Sequence, residues 1–534
     1  MKKPVYYLTL VCILAAGLLT TRLDAQNHLS HPSRQTVPSD VDPVHSLLEL
    51  QNSWLGSDNP TSIGVKTMPD IGKAQFAGDL MAGNLHRSME SSRMQSWGFG
   101  ADSYRSLRHL NLWGDFSFMN RFHSDRQWSD NVDPYNGNPY QVGSKLKGDY
   151  TEQSFDFDVK LASHRIADRW HFGLGMKYEV GDLSRLNDPR SRVQFADMSV
   201  YPGMAVQLAA HHRLGVNLNY RYRKEKNNKY VSKSAGGNEF MLYRQEGLGV
   251  YSNVLSNHFE RRVKGHWYGG ALQYEYVQDG FSLFSHARYQ KRSDTLEDLM
   301  KECPGDYSEH LADLQVKARW QNRNTLQTAS LQLDGSLGTS YKNFQELHSE
   351  EDEDGYSHSE YRTLYTAKAY THHQLTVGAD YHYYRLGSSG YRWFAGSKIG
   401  FWNLADRYAF YVPASKMDVS TLSMTLEGGL CLLTKGRHRL YTEAVLAYHL
   451  SVVGQLSASP DLDKKELWEG IHVSDFEVLS SDVLETGLKL KYFFPLTLKN
   501  DGFLSFNGSD FLSTSLSRRH RFTAQLAIGI VQRF

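Results

Sequence analysis

Beyond its N-terminus this 534-residue chain carries no apolar run of 18 residues or more, which excludes membrane-spanning helices. Cysteine is scarce: Cys12 falls in the N-terminal apolar stretch, and Cys303 and Cys431 are the other two. Cys431 reads as strand and Cys303 as loop, so no disulfide is expected. An excess of either charge is also missing. The net charge is +1, which argues against a nucleic-acid partner. Neither G-x-S-x-G nor H-E-x-x-H occurs, and no cofactor signature is present, so neither an enzyme nor a cofactor is expected.

What the chain does have is alternation with a period of two, from about Ala74 to the last residue, Phe534. Near the end, Phe522, Ala524, Leu526, Ile528 and Ile530 interleave with Thr523 and Gln525. Side chains on a strand point alternately to opposite faces, so each segment has one apolar and one polar face. The same pattern recurs in Phe172–Val180, Val216–Tyr222, Leu272–Tyr276, Leu314–Trp320 and Leu488–Tyr492. The interleaved residues include Lys160, Lys177, Glu179, Arg221, Arg223, Glu275, Lys317, Arg319, Asp334, Lys489 and Lys491. A lysine or arginine facing lipid at mid-membrane costs about 2–4 kcal/mol. These residues are therefore expected to line a lumen and to set its selectivity. Aromatics make up 13% of the chain, as two interfacial girdles require. The fold class expected is all-β: a transmembrane, antiparallel, up-and-down β-barrel with an even strand number of 16–20, best placed at 18–20.

Three regions follow. Residues 1–25 read as a signal peptide, with Lys2 and Lys3 before the apolar core Val5–Leu19 and a cut before Gln26. Residues 26–72 lack alternation and hold five prolines; Asp42-Pro43 would start a short helix over Val44 to about Trp54. This region is either a hatch folded into the barrel mouth or a periplasmic arm. Residues 73–534 form the barrel. Short turns are expected at 165–168, 211–213, 278–280, 321–324, 372–374 and 434–438. Long loops are expected near 122–150, 224–263, 344–360 and 454–480, an asymmetry typical of bacterial outer-membrane barrels. Gly390–Ser420 leaves open whether Tyr408–Tyr411 is a separate strand.

The chain resembles a family of uncharacterised Gram-negative outer-membrane β-barrel proteins. The resemblance rests on Asn138-Pro139-Tyr140, Gly148-Asp149-Tyr150, Asn187-Asp188-Pro189-Arg190, Tyr201-Pro202-Gly203 and Arg533-Phe534, and covers roughly residues 50–534. It implies a barrel in the cell outer membrane that accompanies nutrient uptake, with no catalytic residues. Asn59-Pro60 and the short N-terminal segment carry a looser likeness to the fatty-acid transporter class. The terminal aromatic Phe534 matches the signal by which barrel-assembly machinery takes up the last strand.

Other clusters are read more plainly. The loop from Lys224 to Val263 turns from basic to apolar, too apolar for free solvation, so it either folds inward as a constriction or forms a binding surface. The acidic run Glu346–Glu360, with His348 and His358, reads as a solvated charged loop rather than a metal site. His211-His212 and His372-His373 read as polar turn residues; His123, His164, His286 and His382 have no partner assignable from sequence. The function expected is a channel or transporter for a small or hydrophobic solute. The alternative is a non-transporting binding or scaffold barrel accessory to a nutrient-uptake complex. Expected partners are outer-membrane lipid, the barrel-assembly machinery and an uptake-complex protein.

Overall fold

The computed structural model describes residues 50–66, 68–230, 241–254, 258–351, 357–387, 390–462 and 465–534. In chain order its strands begin with β1 Ile71–Gly83, β2 Arg93–Ser106, β3 Leu110–Arg126, β4 Val142–Gly143, β5 Gly148–Ser163, β6 Trp170–Arg185 and β7 Arg190–Ala209. Next come β8 His212–Tyr230, β9 Leu242–Gly247, β10 Val250–Val254, β11 His258–Gln278, β12 Phe281–Asp298, β13 Gly305–Gln321 and β14 Thr325–Glu351. The last are β15 Ser357–Gly387, β16 Gly390–Tyr408, β17 Ser415–Lys435, β18 His438–Ser457, β19 Val483–Pro495, β20 Asn500–Ser513 and β21 His520–Arg533.

All but β4, β9 and β10 form one 18-stranded antiparallel sheet. β1 pairs with β21 from Ile71↔Arg533 to Gly83↔Arg521, so the sheet closes on itself and has no free edge along this seam. The alternation predicted from sequence is present, and it is inside out relative to a soluble protein. Phe172, Leu174, Met176 and Tyr178 on β6, and Leu526, Ile528 and Ile530 on β21, are exposed on the outer surface. Aromatics cluster on that surface in two bands. One, near the tight turns, includes Trp170, Phe172, Tyr276, Phe281 and Trp320. The other includes Tyr220, Tyr268 and Tyr289. Tyr268 and Tyr276 lie eight residues apart on β11. At about 3.3 Å per residue and a tilt of about 40°, the bands stand roughly 20 Å apart, close to the apolar height of an outer-membrane barrel.

Tight turns and both barrel termini lie at one end, longer connections at the other. The structure corrects several expectations about them. No turn occurs at His372–Gln374, because β15 runs unbroken for 31 residues. The stretch from Tyr361 to Val377 holds neither Gly nor Pro, so nothing in it reverses the chain. His372 instead faces inward and His373 outward. The region 344–360 is not a long loop: β14 and β15 stay paired from Asn343↔Thr366 to Glu351↔Ser357, forming a ribbon that rises above the rim. Tyr408–Tyr411 is no separate strand; β16 ends at Tyr408 and β17 begins at Ser415. The helix expected over Val44–Trp54 lies mostly outside the described residues, and Ser53–Gly56 is a 3-10 turn. Cys303 lies in a loop and Cys431 on a strand, and both are free thiols.

Candidate functional site: a lumen closed at both ends

Residues 50–66 lie inside the barrel near the tight-turn end. The reason is local chemistry. Asn59 starts a turn whose side chain accepts from the Thr61 backbone N–H at 3.0 Å, while its amide donates to Gln273 Oε1 at 2.8 Å. The wall opposite carries Gly203 and Gly215, where a Cβ would collide with Asn59 and with the Trp54 ring. Gly203 of the Tyr201-Pro202-Gly203 motif is thus the space that admits Asn59-Pro60. Trp54 is fully buried against Phe284 and donates its indole N–H to Glu275 at 2.8 Å. Glu275, itself fully buried, also receives Lys66 at 3.0 Å and Arg213 at 3.2 Å. Asp58 pairs with Arg288 at 2.5 Å, and Arg319 donates to the Gln51 carbonyl.

At the opposite end three loops fold inward. β9 and β10 form a hairpin that takes β4 as a third strand. This places the apolar part of the 224–263 loop inside: Leu242 and Tyr243 are fully buried, and Leu248 and Val250 pack with Tyr370, Trp402, Leu404 and Met417 of the barrel wall. Phe240 and Leu255 lie outside the described residues. The loop between β18 and β19 adds a π-helical turn, Trp468–Val473, continuing into α-helical Ser474–Leu479. Trp468 sits on Gly249, whose φ of +83° no other residue adopts easily. The Gly249 N–H donates to His472 Nε2 at 2.7 Å. Burial drives the His472 pKa down to about 4, against the opposing pull of Asp475 and Asp406 and with Arg87 assisting. Asp475 ties in the β1–β2 loop, accepting from the Ser88 N–H at 2.6 Å and pairing with Arg87 at 3.5 Å.

Between these closures lie two chambers. The loop-side chamber, about 500 Å³, is lined by Arg221, Arg223, Arg288 and Arg292, several carboxylates, and the amides of Asn136, Asn138 and Gln141. The turn-side chamber, about 610 Å³, lies against Leu50–Gly56.

The predicted lumen residues distribute between these spaces and the wall beside them. Lys160, Lys317, Arg319, Lys489 and Lys491 line the turn-side chamber, and Arg221, Arg223 and Asp334 the loop-side one. Lys177 pairs with Asp156 at 3.4 Å on the inner wall, and Glu179 occupies the facing register position opposite Asp156. Glu275 is not a pore-lining charge but the anchor of the inner segment. Phe534 closes the seam: its backbone N–H donates to the Asp70 carbonyl, and the Arg105 guanidinium stacks over its ring at 3.2 Å.

Several residues gain partners that sequence could not assign. His382 lies between Asp380 and Glu427, His286 lies 3.7 Å from Asp313, and His372 lies 2.8 Å from Asp406. His123 stands between Ser91 Oγ, at 3.4 Å, and Glu152, at 3.2 Å. This order resembles a hydrolytic triad, but Glu152 is shared with Arg121 and the nearly buried Ser91 lines neither chamber. These contacts satisfy buried charge. Apart from the pair Asp380 and His382, each joins residues far apart in the chain, and only strand register would have revealed them. The resemblance motifs serve structure too: Asn138 binds Asp294, Tyr140 the Tyr341 carbonyl, and Tyr150 Asp130.

Among solved structures, the copper transporter OprC aligns with 87% of this chain and 83% of its own, at 10% identity and a TM-score of 0.40. The FrpB iron transporter from Neisseria meningitidis aligns over 90% of this chain and 83% of its own, at 8% identity and a TM-score of 0.41. A Pseudomonas aeruginosa FadL homologue covers 89% of this chain and 93% of its own, at 9% identity and a TM-score of 0.31. No curated protein sequence matches. Residues 60–531 match a family of unknown function (DUF6850), and the chain belongs to that family.

Proposed function

We propose that this member of the family is a gated outer-membrane passage for a small polar solute. The observation that carries this reading is the pair of chambers stacked between two closures, one of which is anchored by ion pairs and hydrogen bonds as well as by apolar packing. A barrel that served only as a scaffold would have no need of charge-lined chambers. The chamber walls set many charges and amides beside apolar residues such as Ile63, Phe394 and Leu311, and the desolvation of those charges favours a polar solute over a hydrophobic one.

In this reading residues 50–66 act as a hatch. Its anchors on Glu275, Arg288, Arg319 and Gln273 are hydrogen bonds and ion pairs, which water or a solute can replace. The loop closure at the other end is more apolar and acts as the selective mouth. The aromatic bands suit a barrel seated in the outer membrane, with lipid around them.

Single-channel conductance in planar bilayers tests the proposal. The full-length barrel is expected to be closed most of the time, and deletion of residues 26–66 to raise the frequency of openings, with the loop closure left as the remaining gate. Silence from both proteins would overturn it and leave the accessory binding barrel as the better reading.

A further inference from the structure

The two chambers differ in charge. Around the loop-side chamber, four arginines meet six carboxylates. Around the turn-side chamber, six cations (Lys160, Lys317, Arg319, Lys398, Lys489 and Lys491) meet three carboxylates. Those three are already engaged. Asp380 accepts from Ser330 and His382. Glu427 accepts from His382 and from Lys398 at 3.1 Å. Glu443 accepts from Tyr391 at 2.8 Å and Lys491 at 3.3 Å. The described lining therefore carries at least three more cations than carboxylates.

Arg319 supplies an independent sign. One of its terminal nitrogens donates to the Gln51 carbonyl, but its buried Nε–H has no hydrogen-bond partner among the described residues. A guanidinium presents a planar fork that matches a carboxylate or phosphate and is poorly served by a single peptide carbonyl. Beside it, Lys317 Nζ lies against the inner segment, 3.2 Å from where a Cβ on Gly56 would stand.

We infer that the turn-side chamber is a site for a small anionic solute bearing a carboxylate or phosphate group, and that this anion competes with Gln51 for Arg319. The inference rests on the passage reading above and names its solute class. An anion entering this chamber completes the guanidinium fork and draws Arg319 off the Gln51 carbonyl. One of the contacts that hold the inner segment is thereby released by the solute itself. Attraction is strong because the lumen is walled by low-dielectric barrel and partly shut from bulk water.

The test is titration calorimetry on the full-length protein in detergent, with inorganic phosphate and succinate as probes and glucose and spermidine as neutral and cationic controls. Both anions are expected to bind and both controls to give no heat. Lys489→Gln and Lys317→Gln are each expected to weaken anion binding at least tenfold. Lys489→Arg should retain it, which shows that the site is folded, and Asp334→Asn in the other chamber should not lower it. No anion binding, or undiminished binding by both glutamine variants, would overturn the inference. Binding requires no flux, so that failure leaves the conductance test untouched. A barrel that binds anions but stays silent in bilayers overturns the passage and keeps the site.

Discussion

The two ends of the lumen are closed by different kinds of chemistry. At the loop end, Trp402, Leu404, Tyr408, Met417 and Val419 of the wall pack against Leu248, Val250 and Trp468. At the turn end, Trp54 and Ile63 are buried, but the directional contacts are Glu275 with Trp54, Lys66 and Arg213, and Asp58 with Arg288. Apolar packing is non-directional and lost only when the whole surface separates. Ion pairs and hydrogen bonds can be exchanged one at a time for water or solute. The larger apolar cluster at the loop end thus opens or shuts as a unit, whereas the ion pairs of the turn end are released stepwise around a smaller apolar anchor.

Substitutions can break this contrast, the largest effect coming first. Trp468→Ala removes a nearly buried indole from the loop cluster and is expected to loosen that closure by about 3–5 kcal/mol. Hydrogen exchange of the β9–β10 amides should quicken while that of residues 50–66 does not. Glu275→Gln leaves Lys66 and Arg213 without their shared buried carboxylate. It is expected to destabilise the inner segment by about 3 kcal/mol, with the reverse pattern of exchange. If both variants loosen both ends equally, the two closures are one cooperative unit and the contrast fails.

A pH change sharpens the comparison. His472 stays neutral in the closed loop cluster, with a pKa near 4, against the usual 6.5 once released. A released cluster takes up a proton in that interval and a closed one does not. The closure is therefore fully stable above about pH 6.5 and weakens as pH falls toward 4, by about 2 kcal/mol at pH 5. Exchange of the Gly249 amide measured from pH 7 to pH 5 checks this, and His472→Gln should flatten the dependence. The smallest effect belongs to the ribbon: Arg362→Ala breaks exposed pairs with Glu350 and Glu360 and is expected to leave the melting temperature of the barrel unchanged.

The barrel was legible in the sequence because strand periodicity is local. Lys160, Lys177, Lys317, Lys489 and their like alternate with lipid-facing Leu, Phe and Tyr, and the cost of charge in lipid decides which face turns inward. The closures were not legible. Trp54 meets Glu275 across 221 residues, and Glu275 looked like any other charge on an inner face. His372-His373 is polar and so reads as a turn, but polarity alone does not reverse a chain where no Gly or Pro stands, and β15 continues through it. The positive excess of the turn-side chamber comes from four strands (β5, β13, β16 and β19) whose neighbours in space follow from register, not from order alone.

The seam has a consequence for assembly. Ile71 pairs with Arg533, so the wall cannot close until the last strand made meets the first. Residues 50–66 are tethered directly to that first strand. They must therefore be drawn into place as the seam zips, or thread in afterwards through a narrow finished end. A contact of such long sequence separation is slow to form. Closing the wall and loading the lumen thus become a single late kinetic event, and a chain stalled before it would present an open sheet with an empty interior.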